Sequence, residues 1–361
     1  MGAADIRSDA PELVDPLEQH RIDHEALTDW LVPHVPAAAG GLAIKQFQGG
    51  MSNPTYLLTA SKGHQYIMRK KPPGKLLPKA HQVDREYKVM DALAGSDVPV
   101  PQMIALCEDP DVIGVEFYVM EFVDGRIVKT PDLATVARED RRPLMCSLID
   151  SLAALHKVDH VAVGLERFGR PDGYIPRQTQ RWAGQYEAAK SALPADFDYS
   201  TFDFLRDWVL NEAEHKDETS IVHGDFRPGN TITHPSVPKT TAVLDWELAT
   251  IGHPLSDLSY FCLPFRQPHD MSGVVGIDLK AEGLMTEEEV LARYAEQTGR
   301  DGIPDWPVYL AFNYFRLAAI IQGVAARAAM GNVSSASADP LGDLQRAGRM
   351  AEIGAGIARR A

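Results

Sequence analysis

IVHGDFRPGN, residues 221–230, is the stretch on which the reading of this chain turns. Two apolar residues run into His223, Gly224 and Asp225, and Pro228-Gly229-Asn230 follows. The apolar pair reads as a short strand ending at His223. Gly224 and the Pro-Gly pair then force a compact loop. Across such a loop Asp225 and Asn230 would converge, and both offer oxygens. A carboxylate can take a proton from a hydroxyl, and a carboxamide oxygen can ligate Mg²⁺. The spacing D-x-x-x-x-N is common by chance, so its neighbours must decide.

Downstream lies TTAVLDWELATIG, residues 240–252, a β-branched and apolar run that leads to Asp245. A strand-end Asp placed there can serve as a second metal ligand, or can simply cap a turn. Upstream, FQGGMSNPTYLL (47–58) reads as strand, glycine pair and strand. Backbone N–H groups in such a turn can approach phosphates, or the turn can be an ordinary hairpin. YIMRK (66–70) puts Arg69 on a strand, and Glu86 falls inside the next helix. Kinases orient phosphates with a strand cation held by a helix carboxylate. Taken singly, each of these residues reads as well as a surface charge. Glycine turn, strand cation, helix Glu, hinge, H-x-D-x-x-x-x-N and strand-end Asp nevertheless occur in the kinase order, which independent bland readings do not explain.

The rest of the chain agrees. GLAIKQFQ, TYLLTAS and HQYIMRK alternate like hairpin strands. In PKAHQVDREYKVMDALAG, Val83, Tyr87, Met90 and Leu93 share a helical face, with Gly95 as the stop. Strand character returns in VPVPQMIALCED and GVEFYVMEFVDG. Helical periodicity follows at 134–157, 177–190 and 201–215, then two short strands around 220–246, then helices from 286 onward. A β-rich first third and a helical remainder predict an α+β fold with two lobes, joined at FVDG (122–125). The expected divisions are a tail at 1–22, a small β-rich lobe at 23–122 and a larger helical lobe at 123–361.

Length fits this reading, since 361 residues suggest two domains or one two-lobed unit. At 45% hydrophobic and 24% charged, the composition is that of a soluble globular protein. A net charge of −14 disfavours a general nucleic-acid binder. The three cysteines, Cys107, Cys146 and Cys262, show no CxxC spacing, so neither a disulfide framework nor a zinc site is indicated. MGAADIRSDAPELVDPLEQH lacks the apolar core of a signal peptide, and LAAIIQGVAARAAM (317–330) reads as a buried helix rather than a membrane span. The expectation is a cytoplasmic protein with a small-molecule partner, no nucleic acid and no membrane.

GGMSNPTYLL, YIMRKKPPG, REYKVMDAL, FYVMEFVDG, HGDFRPGN and LDWELATIGHPLSDLSYF together resemble the aminoglycoside phosphotransferase and choline kinase family, small-molecule relatives of protein kinases. The closest likeness is to the branch fused to acyl-CoA dehydrogenases, and it covers roughly 40–330. The resemblance implies a protein-kinase-like fold and an ATP-dependent, Mg²⁺-dependent kinase acting on a substrate hydroxyl. It implies Asp225 as the catalytic carboxylate, and Asn230 and Asp245 as the metal ligands. Arg69 would touch the nucleotide phosphates with Glu86 as its partner, while Gly50, Met51, Ser52 and Asn53 cover them. Glu121, Phe122 and Val123 would form the hinge that meets the adenine, and Ile67 would line the base pocket. His223 would support the catalytic loop through hydrogen bonds, and Asp257 would brace it.

Some positions depart from the kinase pattern. Arg69 stands where kinases generally have Lys, which keeps the charge and changes the geometry. Lys70 points to the opposite strand face. Gly224 replaces the Arg of H-R-D, DWE replaces DFG, and no A-P-E follows, all of which speak against a regulated protein kinase. The acceptor is open between a hydroxyacyl chain or its CoA ester and an aminoglycoside or amino-alcohol. Asp203, Glu247 and Asp270 are the acids a cationic acceptor could use; Arg177, Arg181 and Arg316 are the cations a CoA ester could use. A catalytically silent nucleotide-binding module is the reading from another class.

Overall fold

The computed structural model describes residues 12–18, 21–48, 53–74, 81–211, 213, 215–331 and 339–361. It is a mixed α+β structure, as the sequence predicts. Two compact units are resolved. One comprises 1–154, 161–165 and 228–249; the other comprises 155–160, 166–227 and 250–361.

The first unit is built on an antiparallel six-stranded sheet. Its strands are β1 (Leu13–Val14), β2 (Leu42–Phe47), β3 (Thr55–Ala60), β4 (Gln65–Lys70), β5 (Met103–Cys107) and β6 (Phe117–Glu121), in the order β1-β2-β3-β4-β6-β5. Side chains alternate across a strand, and residues paired across strands share a face. Tyr56, Met68 and Val119 are successive cross-strand partners and fall on one face. There they join a core with Leu27 and Leu31 of α1 (His24–Leu31). Asp23 caps that helix, accepting from the N–H groups of Glu25 and Ala26 at 3.0 Å each. Leu57, Ile67 and Met120 are likewise paired in series and line a cavity on the opposite face.

α2 (Val83–Leu93) buries Val83, Met90 and Leu93 as its periodicity requires, and Gly95 follows at φ +80°. Two further strands, β8 (Thr231–Thr233) and β9 (Thr240–Val243), form a hairpin within this unit. The segment 220–252 therefore holds four short strands where the sequence suggested two. The others are β7 (Ser220–Val222) and β10 (Thr250–Gly252), which pair in the second unit.

The second unit is helical: α4 (Tyr174–Lys190), α5 (Ser200–Asn211), α6 (Pro254–Cys262), α7 (Glu287–Thr298), α8 (Trp306–Ala329) and α9 (Pro340–Ala358). The division between units runs through the last turn of α3 (Arg138–Lys157). α8 is long and apolar enough to cross a membrane by length and composition alone, but 72% of its most apolar window is buried inside the protein. Its buried Asn313 donates to Ser256 O (2.7 Å) and Ser259 Oγ (2.6 Å), tying α8 to α6 with satisfied polar groups.

Candidate active site

In the first unit, one cavity of about 750 Å³ collects most of the residues singled out from the sequence. Ile67 and Arg69 lie on its sheet face; Glu121, Phe122 and Val123 line it where β6 ends; Asn230 and Asp245 come from the ends of the β8–β9 hairpin segment. The mostly apolar lining with a few polar groups is the usual character of a small-molecule site.

Arg69 is the polar centre. Its Nη2 donates to Asp245 Oδ1 at 2.9 Å, and its Nε stands 3.3 Å from Glu86 Oε2. That Nε has no aligned acceptor, so its contact with Glu86 is one of charge rather than a hydrogen bond. Glu86, on α2, is fully buried. It accepts from Asn53 Nδ2 (2.6 Å) and from Tyr118 Oη (3.0 Å). Register explains Tyr118: it pairs directly with Arg69 across β4 and β6, so both reach Glu86 from the same sheet face. Burial, only partly offset by Arg69 and these donors, lifts the Glu86 carboxyl to about 6.

Asn53 and His81 extend the network, with Asn53 Oδ1 3.1 Å from His81 Nδ1. The Asn53 side chain is held by Glu86 and His81 and lines the same cavity. Gly50, Met51 and Ser52 lie outside the described residues. Lys70 sits on the other face of β4, 5.9 Å from the centre of the Tyr56 ring, as strand alternation predicts.

Asp245 adopts a left-handed backbone, φ 65° and ψ 57°. Side chains other than Gly, Asn and Asp rarely tolerate this, and such strain concentrates at working positions. Carboxylate and carboxamide oxygens suit Mg²⁺, which keeps several waters and needs only one or two protein carboxylates beside substrate phosphates. Asn230 and Asp245 fit that ion; among the described residues no larger His/Cys/Asp/Glu cluster suggests another metal.

Asp225 belongs to the second unit, since the division falls between Arg227 and Pro228. β7 ends at Val222, and Gly224 turns the chain at φ +85°. A side chain there would be strained. The loop is held from several sides. Asp257 Oδ2 accepts from His223 N (2.5 Å) and Oδ1 from Gly224 N (2.8 Å). His223 Nδ1 accepts from Asp225 N at 3.2 Å. Arg316 Nη2 donates to Gly224 O at 2.7 Å.

Behind Asp257, His156 Nε2 stands 3.4 Å from Oδ2 and its Nδ1 is 2.7 Å from Tyr294 Oη. Burial opposes the Asp257 charge, but His156, His223 and the Gly224 N–H outweigh it and hold the carboxyl below its ordinary range. The Asp225 carboxylate is 22% exposed and has Arg227 Nε 3.5 Å away. It also takes a hydrogen bond from Tyr260, whose phenol burial and Asp225 keep protonated.

Several of these partners carry no sequence signal. Tyr118 falls in a run with strand character, and His81 in the run that reads as helical. Tyr260 had one clue, its place three residues after Asp257, one helical turn along the same face of α6. Arg316, a cation the sequence offers to a CoA ester, is instead buried on Gly224 O and stacks over Tyr260 at 5.6 Å.

A family model described as "Phosphotransferase enzyme family" matches residues 43–312. The chain belongs to this family. Its members transfer phosphoryl groups, and this phosphotransferase has a curated relative in Acyl-CoA dehydrogenase family member 11 of Homo sapiens, 40% identical over 332 residues. That match covers 90% of the chain but only 42% of the relative, so the chain spans less than half the length of this relative. The expected likeness to the acyl-CoA dehydrogenase-associated branch is borne out. A crystal structure from Ralstonia eutropha, provisionally named an aminoglycoside phosphotransferase, is 42% identical with a TM-score of 0.85, covering 94% of this chain and 99% of its own. Choline kinase from Cryptosporidium parvum shares the fold at 13% identity, TM-score 0.62, covering 94% and 96%.

Proposed function

We propose that this phosphotransferase is a small-molecule kinase that moves the γ-phosphate of ATP to a substrate hydroxyl, with Mg²⁺. The observation that carries the proposal is the half-buried Arg69–Glu86–Asp245 cluster at one cavity, a cation held by one buried carboxylate and presented to a second. Arg69 would face the nucleotide phosphates, with Glu86, Tyr118 and Asn53 fixing its position. Ile67 and the segment Glu121–Val123 would hold the base. Asn230 and Asp245 would hold Mg²⁺, which when bound offsets phosphate charge.

Asp225 would orient the acceptor hydroxyl and take its proton as the new P–O bond forms and the bond to the leaving nucleotide breaks. Its loop is pinned by Asp257, His223 and Arg316, so the carboxylate needs little reorganisation, which is the main catalytic resource in phosphoryl transfer.

For the acceptor, a hydroxyacyl chain or its CoA ester is favoured over a cationic aminoglycoside. The relatives' acyl-CoA dehydrogenase names motivate this choice. Two of the three acids open to a cation are already engaged: Asp203 by Lys190 and Arg206, and Asp270 by Arg349.

The test is transfer of labelled γ-phosphate from ATP and Mg²⁺, with hydroxyacyl-CoAs and aminoglycosides in separate reactions. Asp225→Ala should lose at least ~10³-fold in turnover, on the scale of removing a residue made essential by proton transfer, while nucleotide binding persists. Near-normal turnover by that variant would sink the assignment. Tight ATP binding with no labelled product from any acceptor would instead favour a catalytically silent module.

A further inference from the structure

The sheet face over the cavity is wider than the strands singled out from sequence. Cross-strand pairing runs Leu57 to Ile67 to Met120, all lining the cavity. Phe47, two residues beyond Lys45, shares the face of Leu57, because Lys45 pairs with Leu57 and strand side chains alternate. Leu13 pairs directly with Phe47 and therefore lies on that same face; both line the cavity. β1 thus extends the cavity's sheet face by one strand, drawn from a segment whose sequence reads as an aperiodic tail.

That segment is fastened, not merely adjacent. Gln48 N donates to Glu12 O at 2.9 Å, and Leu17 N donates to the buried Gln46 Oε1 at 3.0 Å. Lys45 Nζ meets Asp15 Oδ1 at 2.8 Å on the surface. Leu13 nonetheless keeps 42% of its surface exposed, although it faces a largely apolar cavity. An apolar side chain in that position has area left for a ligand to cover. Leu17, in the same segment, is 45% exposed and does not line the cavity.

We infer that Leu13, carried by the N-terminal strand β1, is a nucleotide-binding residue: it completes the apolar sheet face of the pocket and is covered when a nucleoside triphosphate occupies it. The inference rests on the kinase reading of this cavity. The N-terminal segment is then part of the binding site, and its removal weakens nucleotide affinity without touching the phosphate-binding cluster.

The experiment is calorimetric titration of the full chain with AMP-PNP and Mg²⁺, using wild type, Leu13→Asp and Leu17→Asp, each with its melting temperature. Leu13→Asp should raise Kd at least fivefold, with Leu17→Asp within twofold of wild type and both melting like wild type. Equal Kd for wild type and Leu13→Asp overturns the inference and leaves the kinase reading standing. A wild type that binds no nucleotide removes both. Should Leu13→Asp fail to fold, amide exchange on wild type decides: AMP-PNP should slow exchange at 13–14 and 46–48, and unchanged rates there overturn the role of β1.

Discussion

Arg69 shows how much one substitution within a motif can alter. Lysine would present a single flexible ammonium, whereas the planar guanidinium reaches Asp245 through Nη2 and Glu86 through Nε at once. Arg69→Lys keeps the charge and loses one of the two contacts, so nucleotide affinity should fall about tenfold, or ~1.4 kcal/mol. Titration of the variant with AMP-PNP checks this, and an unchanged Kd would show that the fork is not used. Asp257 acts on the backbone instead. Replacing it by Ala strands two buried N–H groups, His223 N and Gly224 N. At ~1–3 kcal/mol for each unsatisfied group, Asp257→Ala should lose roughly 3 kcal/mol or more of stability by urea unfolding.

At the scale of elements, the helices of the second unit approach at places where only glycine fits. Gly354 on α9 is one: a Cβ there would stand 2.6 Å from Leu205 Cδ2 and 2.7 Å from Tyr314 Cβ. The latter belongs to a main-chain-proximal atom of α8 that cannot swing aside. Gly354→Ala gains ~1 kcal/mol of helix propensity but overpacks at a cost of ~1–3 kcal/mol. Net destabilisation is expected. Gly323, in the last third of α8, is the contrast, because a Cβ there meets only the flexible end of Arg327 at 3.5 Å. Gly323→Ala should therefore stabilise by up to ~1 kcal/mol. Chemical denaturation of the pair tests the argument, and a stabilised Gly354→Ala would refute the close approach.

Global stability should report the buried cluster through pH. Burial raises Glu86 from 4.5 to about 6 despite Arg69. A carboxyl with a raised folded-state pKa binds its proton more tightly in the folded protein. Its contribution is therefore fully present below pH 4.5 and is lost as pH rises through about 6. Glu86→Gln cannot titrate, so wild type should lose roughly 2 kcal/mol of stability relative to it as pH rises through that window. A difference that stays flat from pH 4 to 7 would mean that folding does not raise the Glu86 carboxyl at all. Arg69 itself stays charged, as Glu86 and Asp245 outweigh its burial.

The alternation of β2 to β6, the face of α2, the stop at Gly95 and the order of Arg69, Glu86, Asp225, Asn230 and Asp245 were all legible along the chain. Each depends on local periodicity, on turn chemistry or on a motif whose members lie within a few residues. The family followed from that order. Tertiary structure alone decided that 228–249 joins the first unit, that Tyr118 and Asn53 close around Glu86 with His81 behind Asn53, and that Arg316 is buried on Gly224. It also made Leu13 part of a cavity through its pairing with Phe47. Those contacts join residues far apart in sequence, and no periodicity records them. They form because buried polar groups must find partners and a sheet edge can pair with any strand brought beside it.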